Sequence, residues 1–450
     1  MEKELALELL EAKKLVQLRK DLQELNPADI ATLIEEMRES EEFDEKKLIL
    51  LYRILPKELA AEAFTYLDSD TQIALIGAFS DKELRYVIDE LYLDDTVDII
   101  EEMPANVVSR ILSSTDPDTR KQINELLNYP KDSAGSVMTT EFVYLHRYLT
   151  VREAFEQIRK IGLVKETVYT CYVISSHRRL VGRVTVLDML VADEDTKIED
   201  IMETNVIFVR THDDKEHVAH TMSKYDIAAI PVVDNEDRIV GIVTFDDAMD
   251  VLQEENTEDF AKMAAVVPAE DSYFKTSVWQ HAKSRIPWLL VLMLSATLTG
   301  WISSRFEPQI AVIPMLVSFM PMVMGTGGNC GSQSSTLIIR GMALEEIRLK
   351  DFFKVVFKEF RIALLCAAVL SVVNGLRVLI TYKDPALALV IALSLIGTVV
   401  IAKLVGAMLP MAAKAVHLDP AIMANPLITT VVDSCSLLIY FTIATNVLGI

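Results

Sequence analysis

The feature that most constrains the fold is a series of five apolar stretches in the C-terminal part of the chain. They are Pro287–Ser304, Ile310–Ile339, Ile362–Ile380, Ala386–Ala413 and Pro426–Ile450. Most approach or exceed the ~20 residues that a helix needs to cross the hydrocarbon core of a bilayer. In a soluble protein, five nearly uncharged helices in succession would have no polar face to turn toward water. The sequence therefore predicts five transmembrane helices.

Charge divides the chain into two unlike parts. From His281 onward there are 13 Lys and Arg against 8 Asp and Glu, whereas the preceding residues carry 31 basic and 58 acidic side chains. A net charge near −27 argues against nucleic acid as a partner, because phosphate groups need basic side chains. It favours cations, although an acidic surface that only aids solubility is an equally good interpretation of charge alone.

The distribution of basic residues predicts the orientation in the membrane. The loop from Arg340 to Arg361 holds six Lys and Arg, which places it on the cytoplasmic side by the positive-inside rule. The start of the chain, Met1-Glu-Lys-Glu-Leu, lacks the apolar core of a signal peptide. We therefore expect a multi-pass protein of the cell (inner) membrane with its acidic domain in the cytoplasm and its C-terminus outside. Its four cysteines form no CxxC pair, so neither a disulfide framework nor a zinc site is indicated.

The acidic part divides into two kinds of pattern. Residues 1–131 show helical apolar spacing interrupted by turn signals such as Leu55-Pro56 and Met103-Pro104, which predicts an all-α helical superhelix. Residues 132–196 and 197–255 form a doubled α/β unit, in which Arg179–Asp188 matches Arg238–Asp247. In both copies a Thr-x-x-Asp capping box opens the helix after the second strand.

This doubled unit resembles a tandem pair of cystathionine-β-synthase-type (CBS) domains, which are regulatory modules that often bind adenine nucleotides. Residues 256–283 are polar and helix-compatible, and we interpret them as a connecting helix. Residues 284–450 are then expected to form a transmembrane domain of five helices.

Asp433 is the strongest single candidate for function. It stands alone in the last apolar stretch, where an ionisable group costs several kcal/mol unless it meets water, a partner or an ion. It could line a pore, or it could pair with Lys403 or Arg377 to hold helices together. Mg²⁺ keeps much of its water shell and is often held through one or two carboxylates. Two copies of Asp433 facing each other in a symmetric dimer would suit a hydrated ion.

Two further motifs lie in the apolar part. Asn425-Pro426 begins the last stretch, and Pro426 is expected to leave a carbonyl one turn back free to line a cavity. The run Met324–Ser335 is rich in glycine, but no Lys-Ser/Thr follows it, so a nucleotide loop is not indicated. Small residues in a membrane helix allow close packing. Packing alone and direct pore lining by Asn329 and Gln333 both remain open.

These motifs carry a resemblance to a known family. Gly325-Thr-Gly-Gly-Asn-Cys-Gly-Ser-Gln-Ser, Leu418-Asp-Pro-Ala and Asn425-Pro-Leu with Asp433 resemble the MgtE family of magnesium channels, and the resemblance covers essentially the whole chain. It implies a homodimer in membrane lipid, with Asp433 as the selectivity carboxylate and Mg²⁺ sites between the cytoplasmic domains. The implied sensor ligands are Glu62, Asp94, Asp98, Glu216, Asp226, Asp247, Asp250, Glu255, Glu258, Asp259 and Asp419, with oxygens near Ser136 and Ser223.

The resemblance also implies regulation. Mg²⁺ bound between the acidic domains would neutralise their repulsion and close the pore when cytoplasmic Mg²⁺ is high, a shift between two states. Some family members bind ATP at the CBS pair, where Asp188 would contact the ribose. Thr170 and Leu187 stand where an aromatic ring and an arginine are expected, which disfavours ATP here.

Two alternatives have different mechanisms. A secondary transporter could use the same Asp433 with H⁺ or Na⁺ as the coupling ion. A CBS-regulated membrane enzyme is disfavoured, because no apolar stretch holds a His/Cys cluster or a nucleophile beside a base.

Overall fold

The structure, a computed structural model, describes residues 3–38, 43–162, 165–268, 273–274, 276–344, 346–423 and 425–449. The chain divides into two compact units, Met1–Leu252 and Gln253–Ile450. We refer to them as the acidic unit and the membrane unit.

The acidic unit begins with ten short helices. Their sequence of side-chain caps explains where they start: Asp44, Asp68, Ser80 and Asp116 each accept a backbone N–H of the following first turn. Alternate helices pack together, α3 on α5, α5 on α7 and α7 on α9. The helices are α1 Lys3–Glu11, α2 Leu15–Leu22, α3 Pro27–Arg38, α4 Glu45–Ile54, α5 Lys57–Thr65, α6 Ser69–Ala78, α7 Asp81–Glu90, α8 Leu93–Glu102, α9 Ala105–Ser114 and α10 Pro117–Leu126.

Two matching α/β repeats follow. Each has a three-stranded sheet in which the first pair of strands is parallel and the second pair antiparallel. Thr170 pairs with Thr185 in one sheet, and Ala229 pairs with Thr244 at the equivalent place in the other. The elements are β1 Phe142–His146, α11 Val151–Ile161, β2 Thr167–Ile174, β3 Leu180–Thr185, α12 Val186–Val191, α13 Ile198–Ile201, β4 Val209–Arg210, α14 Lys215–Tyr225, β5 Ala229–Val233 and β6 Ile239–Thr244.

The predicted doubled unit is therefore present, with the same strand order in both copies. Thr185 caps α12 through a complete capping box with Asp188, and the Thr244 hydroxyl donates to Asp247. The first ten helices and the second repeat share one continuous apolar core, which includes Ile30, Phe64, Ile111 and Val232. This shared core fixes the helical part against the second repeat.

The membrane unit is built mainly from long helices, with one short helix between two of them. In chain order, its helices are the end of α15 Phe245–Met263, then α16 Val278–Arg305, the short α17 Glu307–Val312, α18 Met315–Ala343, α19 Phe352–Tyr382, α20 Pro385–Ala415 and α21 Asn425–Leu448. Residues 256–263 of the predicted connecting segment are thus the last part of α15, and residues 278–283 are the first part of α16. Helix α20 lies in the centre, where α18, α19 and α21 pack on it.

Four helical segments in the described residues are long and apolar enough to cross a membrane: Val278–Arg305, Leu349–Tyr382, Pro385–Ala415 and Pro420–Leu448. The second and fourth include short 3₁₀ turns, Leu349–Asp351 and Pro420–Met423, before α19 and α21. Helix α18 has 29 residues but is not among the four. Its glycine, serine, asparagine and glutamine residues lower its hydropathy, although its length suffices for a span.

Candidate ion pathway and acidic interface

The glycine-rich part of α18 lies directly beside Asp433 of α21. A Cβ atom built on Gly328 would lie 3.0 Å from Cγ2 of Thr429 and 3.9 Å from Oδ1 of Asp433. A side chain at position 328 would therefore crowd the Thr429 side chain, and glycine lets α18 lie close to this part of α21. The contact therefore presents the α18 backbone to the one carboxylate of α21.

Asp433 has no ion pair or hydrogen bond among the residues that the structure describes, and it is half-buried. The two bases that the sequence offered as partners are engaged elsewhere. The Lys403 ammonium donates to the Ser334 hydroxyl at 3.3 Å, and the Arg377 guanidinium lies 3.2 Å from the Met322 sulfur. Because an unpaired carboxylate at membrane depth needs water or a cation, this arrangement suits an ion pathway.

Small residues also bring α18 and α20 together. A Cβ atom on Gly406 would collide with the carbonyl group of Gly331, so the two backbones are in direct contact. Asn329 and Gln333 lie on another face of α18, where they line a cavity of about 610 Å³ shared with Leu365 of α19. The glycines thus serve close packing, and within one chain the two amides do not share the surface that faces Asp433.

The start of α21 differs from the expectation for Pro426. This residue is in the first helical turn, where the missing N–H would have no helical partner in any case, so no carbonyl is set free by it. The Met423 carbonyl accepts from the Ser335 hydroxyl at 3.3 Å, and the Pro426 carbonyl accepts from Thr429 and Thr430. The side chain of Asn425 lies outside the described residues.

The end of α15 contacts the segment that leads into α21. The Lys262 ammonium lies 2.8 Å from a carboxylate oxygen of Glu258 and 2.6 Å from one of Asp419. Burial lowers the pKa of Lys262, but the hydrogen bonds and charges of the two carboxylates outweigh it and hold that pKa above its ordinary value. Met263 packs on Ile339 and Ala421 in the same contact. Asp419 therefore faces this helix, and Lys262 occupies the space between two predicted metal ligands.

Seven carboxyl groups come together where α8 meets the repeats. Among the residues that the structure describes, none of them forms an ion pair with a basic side chain. Burial, combined in most cases with mutual repulsion, raises the pKa of Asp94, Asp95, Asp98, Glu141, Glu166 and Asp247. Burial and the charge of Asp95 raise the pKa of Asp94 to about 7, and burial and the charge of Asp94 raise that of Glu166 to about 8. We call this group the acidic interface: Asp94, Asp95, Asp98, Glu141, Glu166, Asp246 and Asp247.

Other members of the acidic interface behave in the same way. Burial and the charge of Asp94 raise the pKa of Asp247 to about 7, and desolvation and the charge of Asp247 raise that of Asp98 to about 8. Asp98 keeps an exposed surface, so solvent screens part of its repulsion. Glu141 differs because it accepts the backbone N–H of Leu93 at 3.3 Å.

Two oxygens of the acidic interface are buried without a hydrogen-bond partner, Oδ1 of Asp94 and Oε2 of Glu166. Buried acceptors of this kind need a donor or a cation. Within the described ranges, however, no three of these groups are arranged as a ready-made metal site. Asp94, Asp98 and Asp247 were predicted from the sequence, whereas Asp95, Glu141, Glu166 and Asp246 were not. These four residues join the acidic interface only because α8 packs against the repeats, and the sequence gives no sign of that packing.

The remaining predicted sensor residues are dispersed. Glu62 is exposed on α5, Glu216 pairs with His220 one turn away at 3.4 Å, and Asp226 ends α14 with a left-handed φ of 52°. The Ser136 hydroxyl donates to the carbonyls of Lys131 and Ser133, and Ser223 is exposed on α14. Asp250, Glu255 and Asp259 follow one another along α15.

The nucleotide candidate Asp188 is exposed at the start of α12. Its carboxylate accepts the Thr185 backbone N–H at 3.0 Å and the Thr185 hydroxyl at 2.6 Å, which explains it as a helix cap. Thr170 lies in β2, and the Leu187 side chain is exposed beside Asp188. The site thus offers neither a stacking ring nor a positive charge at these two positions.

A unit of long apolar helices with an unpaired carboxylate in its last helix, joined to an acidic unit with a CBS pair, defines a class: membrane transport proteins for cations that carry a regulatory module. Comparison with known proteins agrees. Residues 320–443 match the profile MgtE, divalent cation transporter, residues 39–132 match the MgtE intracellular N domain, and residues 134–195 and 198–254 match CBS domains.

Similar proteins span nearly the whole length. The magnesium transporter MgtE of Thermus thermophilus is 37% identical, covering 99% of this chain and 98% of that protein, and that of Bacillus subtilis is 34% identical, covering 97% and 95%. The crystal structure of the cytosolic domain of the Mg²⁺ channel MgtE in complex with ATP aligns with a TM-score of 0.51 at 35% identity, over 54% of this chain and 97% of that one. The chain belongs to the MgtE family.

Proposed function

We propose that this protein is a Mg²⁺-selective channel of the cell membrane that closes when cytoplasmic Mg²⁺ is high. The observation that carries the proposal is the unpaired carboxylate of Asp433 beside the bare backbone at Gly328. One carboxylate per subunit offers too few ligands for a dehydrated ion, but it suits Mg²⁺ that keeps its water. Relatives that are named magnesium transporters over nearly the whole chain support the choice of ion.

A homodimer completes the proposed pathway. In the isolated chain α16 exposes many apolar side chains, including Leu290, Met293, Leu294 and Trp301, which suits either lipid or a second subunit. A two-fold axis next to α21 would bring two Asp433 carboxylates to one hydrated ion.

We further propose five transmembrane spans with α18 as the second, the acidic unit in the cytoplasm and the C-terminus outside. The proposed domains are the helical domain 1–131, the CBS repeats 132–196 and 197–255, the connecting helix 256–283 and the transmembrane domain 284–450.

The acidic interface is the proposed sensor. Its carboxyl groups repel one another and contain two buried oxygens without a donor, so a divalent cation would be bound with a gain in stability. Glu258, Asp259 and Asp419 would form a second group of ligands near the pore. For nucleotides we propose weak binding with Asp188 at the ribose, because Thr170 and Leu187 supply no ring and no positive charge.

Mg²⁺ uptake by the variant Asp433→Asn tests the proposed ion pathway. Proteoliposomes with low internal Mg²⁺ and an internal Mg²⁺ dye should show at least about a hundredfold lower uptake than the unchanged protein, because the carboxylate that holds the hydrated ion is gone. Asp384→Asn is the matched control, since Asp384 only caps the start of α20 by accepting two backbone N–H groups. Uptake near that of the unchanged protein in Asp433→Asn would overturn the proposal.

The alternative of a secondary transporter is decided in the same vesicles. A channel carries Mg²⁺ down its gradient without H⁺ or Na⁺, and its flux follows the membrane potential. An uptake that stops when Na⁺ is omitted, or when the H⁺ gradient is collapsed, would favour coupled transport through the same residues.

A further inference from the structure

Three helices of the membrane unit meet at a buried group of one carboxylate, one hydroxyl and one ammonium. The Ser334 hydroxyl of α18 donates to Oε2 of Glu359 on α19 at 2.6 Å, and the Lys403 ammonium of α20 donates to the same hydroxyl at 3.3 Å. Glu359 is 6% exposed, Lys403 is 5% exposed and Ser334 is fully buried. We call these three residues the buried triad.

Asp, Glu, Lys and Arg side chains are almost never fully buried unless they are paired. Here the opposite formal charges of Glu359 and Lys403 flank one hydroxyl, so the triad as a whole is neutral. Its hydrogen bonds form one chain from ammonium to hydroxyl to carboxylate. A neutral, enclosed group of this kind offers no net negative charge to a passing cation, which distinguishes it from Asp433.

The buried triad lies next to the helix contacts that shape the pathway. Gly331, one turn before Ser334, is in backbone contact with Gly406 of α20. Ser335, the next residue, donates to the Met423 carbonyl just before α21 begins. The triad therefore fastens α18 to α19 and α20 at the level where α18 also contacts α20 and the entry to α21.

We propose that Glu359, Ser334 and Lys403 are positioning residues for ion conduction, which set the rotation and depth of α18 so that Gly328 faces Asp433. The two charges act as one neutral unit and do not bind the transported ion. This inference rests on the proposed function, in that it assigns a role to the triad in Mg²⁺ flux. Flux through the unchanged protein tests the function by itself, so the two can fail separately.

Variants that remove the charge of Glu359, of Lys403, or of both distinguish a positioning role from ion binding. Glu359→Gln or Lys403→Met alone leaves one unpaired buried charge, whereas the double variant leaves none. We expect each single variant to lower Mg²⁺ uptake per folded protein in liposomes at least about tenfold, and the double variant to return it to within about threefold of the unchanged protein. Ser371→Ala is the control, because this buried hydroxyl donates only within its own helix α19.

A second measurement follows α18 directly. Cys330 lies one turn before Ser334 and is 7% exposed, so its thiol reports whether α18 has shifted. With Cys171, Cys366 and Cys435 replaced by alanine, a membrane-permeant maleimide should label Cys330 at least about fivefold faster in the single variants than in the double variant.

Two outcomes would overturn the proposal. Single variants with full uptake would show that the triad is not needed for conduction. A double variant that is folded but as inactive as the single ones would show that a charge acts on its own, as an ion ligand would. If the single variants do not reach the membrane, the double variant still decides between positioning and ion binding, because a positioning role requires the double variant to fold and to conduct Mg²⁺.

Discussion

Gly328 is the residue at which a single added side chain should most directly disturb the pathway. Because a Cβ atom there would lie 3.0 Å from Thr429, next to Asp433, Gly328→Val should push α18 and α21 apart. We expect at least about tenfold lower Mg²⁺ uptake in proteoliposomes, with the folded protein still recoverable in detergent.

Gly325→Val is the matched control for this prediction. It places the same β-branched side chain one turn earlier on the same helix, where nothing lies within 4 Å of a built Cβ atom. Its uptake should stay within about twofold of the unchanged protein. Equal losses in both variants would mean that helix propensity, and not contact with α21, is responsible.

Single residues were predictable where their surroundings in the sequence are unusual. Asp433 could be identified because it is the only charge in a long apolar stretch, and Asp188 and Asp247 because a threonine three residues earlier indicates a cap. Glu359 gave no such signal, because it lies beside Lys358 in the charged segment that precedes the apolar stretch Ile362–Ile380. Its contact with Ser334 joins positions 25 residues apart and depends on how the helices pack, which the sequence does not display.

At the scale of elements, the docking of α15 offers a test of regulation. Lys262 joins Glu258 of its own helix to Asp419 before α21, so Lys262→Met should weaken this contact. We expect the internal Mg²⁺ concentration that halves uptake to rise at least about threefold, while uptake at low internal Mg²⁺ persists. Lys354→Met is the control, because its partner Asp351 lies in the same short segment at 3.1 Å. An unchanged Mg²⁺ dependence in Lys262→Met would contradict the role of this contact.

The acidic interface predicts a dependence of stability on pH. The folded-state pKa values of Asp94 and Asp247 are about 7 and that of Glu166 is about 8, all above the ordinary values of these groups. The folded protein therefore holds more protons than the unfolded chain between about pH 4 and pH 8, so its stability falls as pH rises through this window. Without Mg²⁺, the melting temperature in detergent should be at least about 3 °C lower at pH 8 than at pH 6.

Asp94→Asn isolates the contribution of the acidic interface to that difference. Removing one buried carboxylate should reduce the loss between pH 6 and pH 8, and millimolar Mg²⁺ should reduce it in the unchanged protein. Asp116→Asn is a suitable comparison, because Asp116 is an exposed helix cap and its pKa is lowered mainly by hydrogen bonds to Thr119. A melting temperature that rises from pH 6 to pH 8 in the unchanged protein would contradict the assignment.

Elements were predictable where local signals are strong, and less so where they are not. The caps and prolines of the first ten helices mark their starts, and the repeated strand pattern identifies both sheets. The stretch Ile310–Ile339 was expected to be one span, but it is divided between α17 and α18 at Ile313 and Pro314. Proline fixes its own φ and disfavours helix at the preceding residue, so the break lies where the stereochemistry requires it.

At the scale of the whole molecule, the division into an acidic unit and an apolar unit follows from charge and hydropathy alone. The packing of α8 against the repeats could not be predicted in this way. Seven carboxyl groups from distant segments meet there, and none of them pairs with a basic side chain among the residues that the structure describes. This arrangement is unusual, because buried charges in proteins are normally paired or bind a metal ion. Conflict between a local cost and a stable fold is expected at functional sites.

The last prediction concerns the size of the protein with and without Mg²⁺. In the proposed homodimer, each chain carries a net charge of about −27 before the membrane helices, so the two acidic units should repel one another when no divalent cation is bound. Removing Mg²⁺ with a chelator should increase the radius of gyration of the full-length protein in small-angle scattering, and restoring Mg²⁺ should reverse the change. Potassium chloride at equal ionic strength is the control, because general screening should compact the protein much less than an ion bound at the acidic interface. A radius that is the same with chelator and with Mg²⁺, or that responds equally to both salts, would show that repulsion between the acidic units does not drive the change of state.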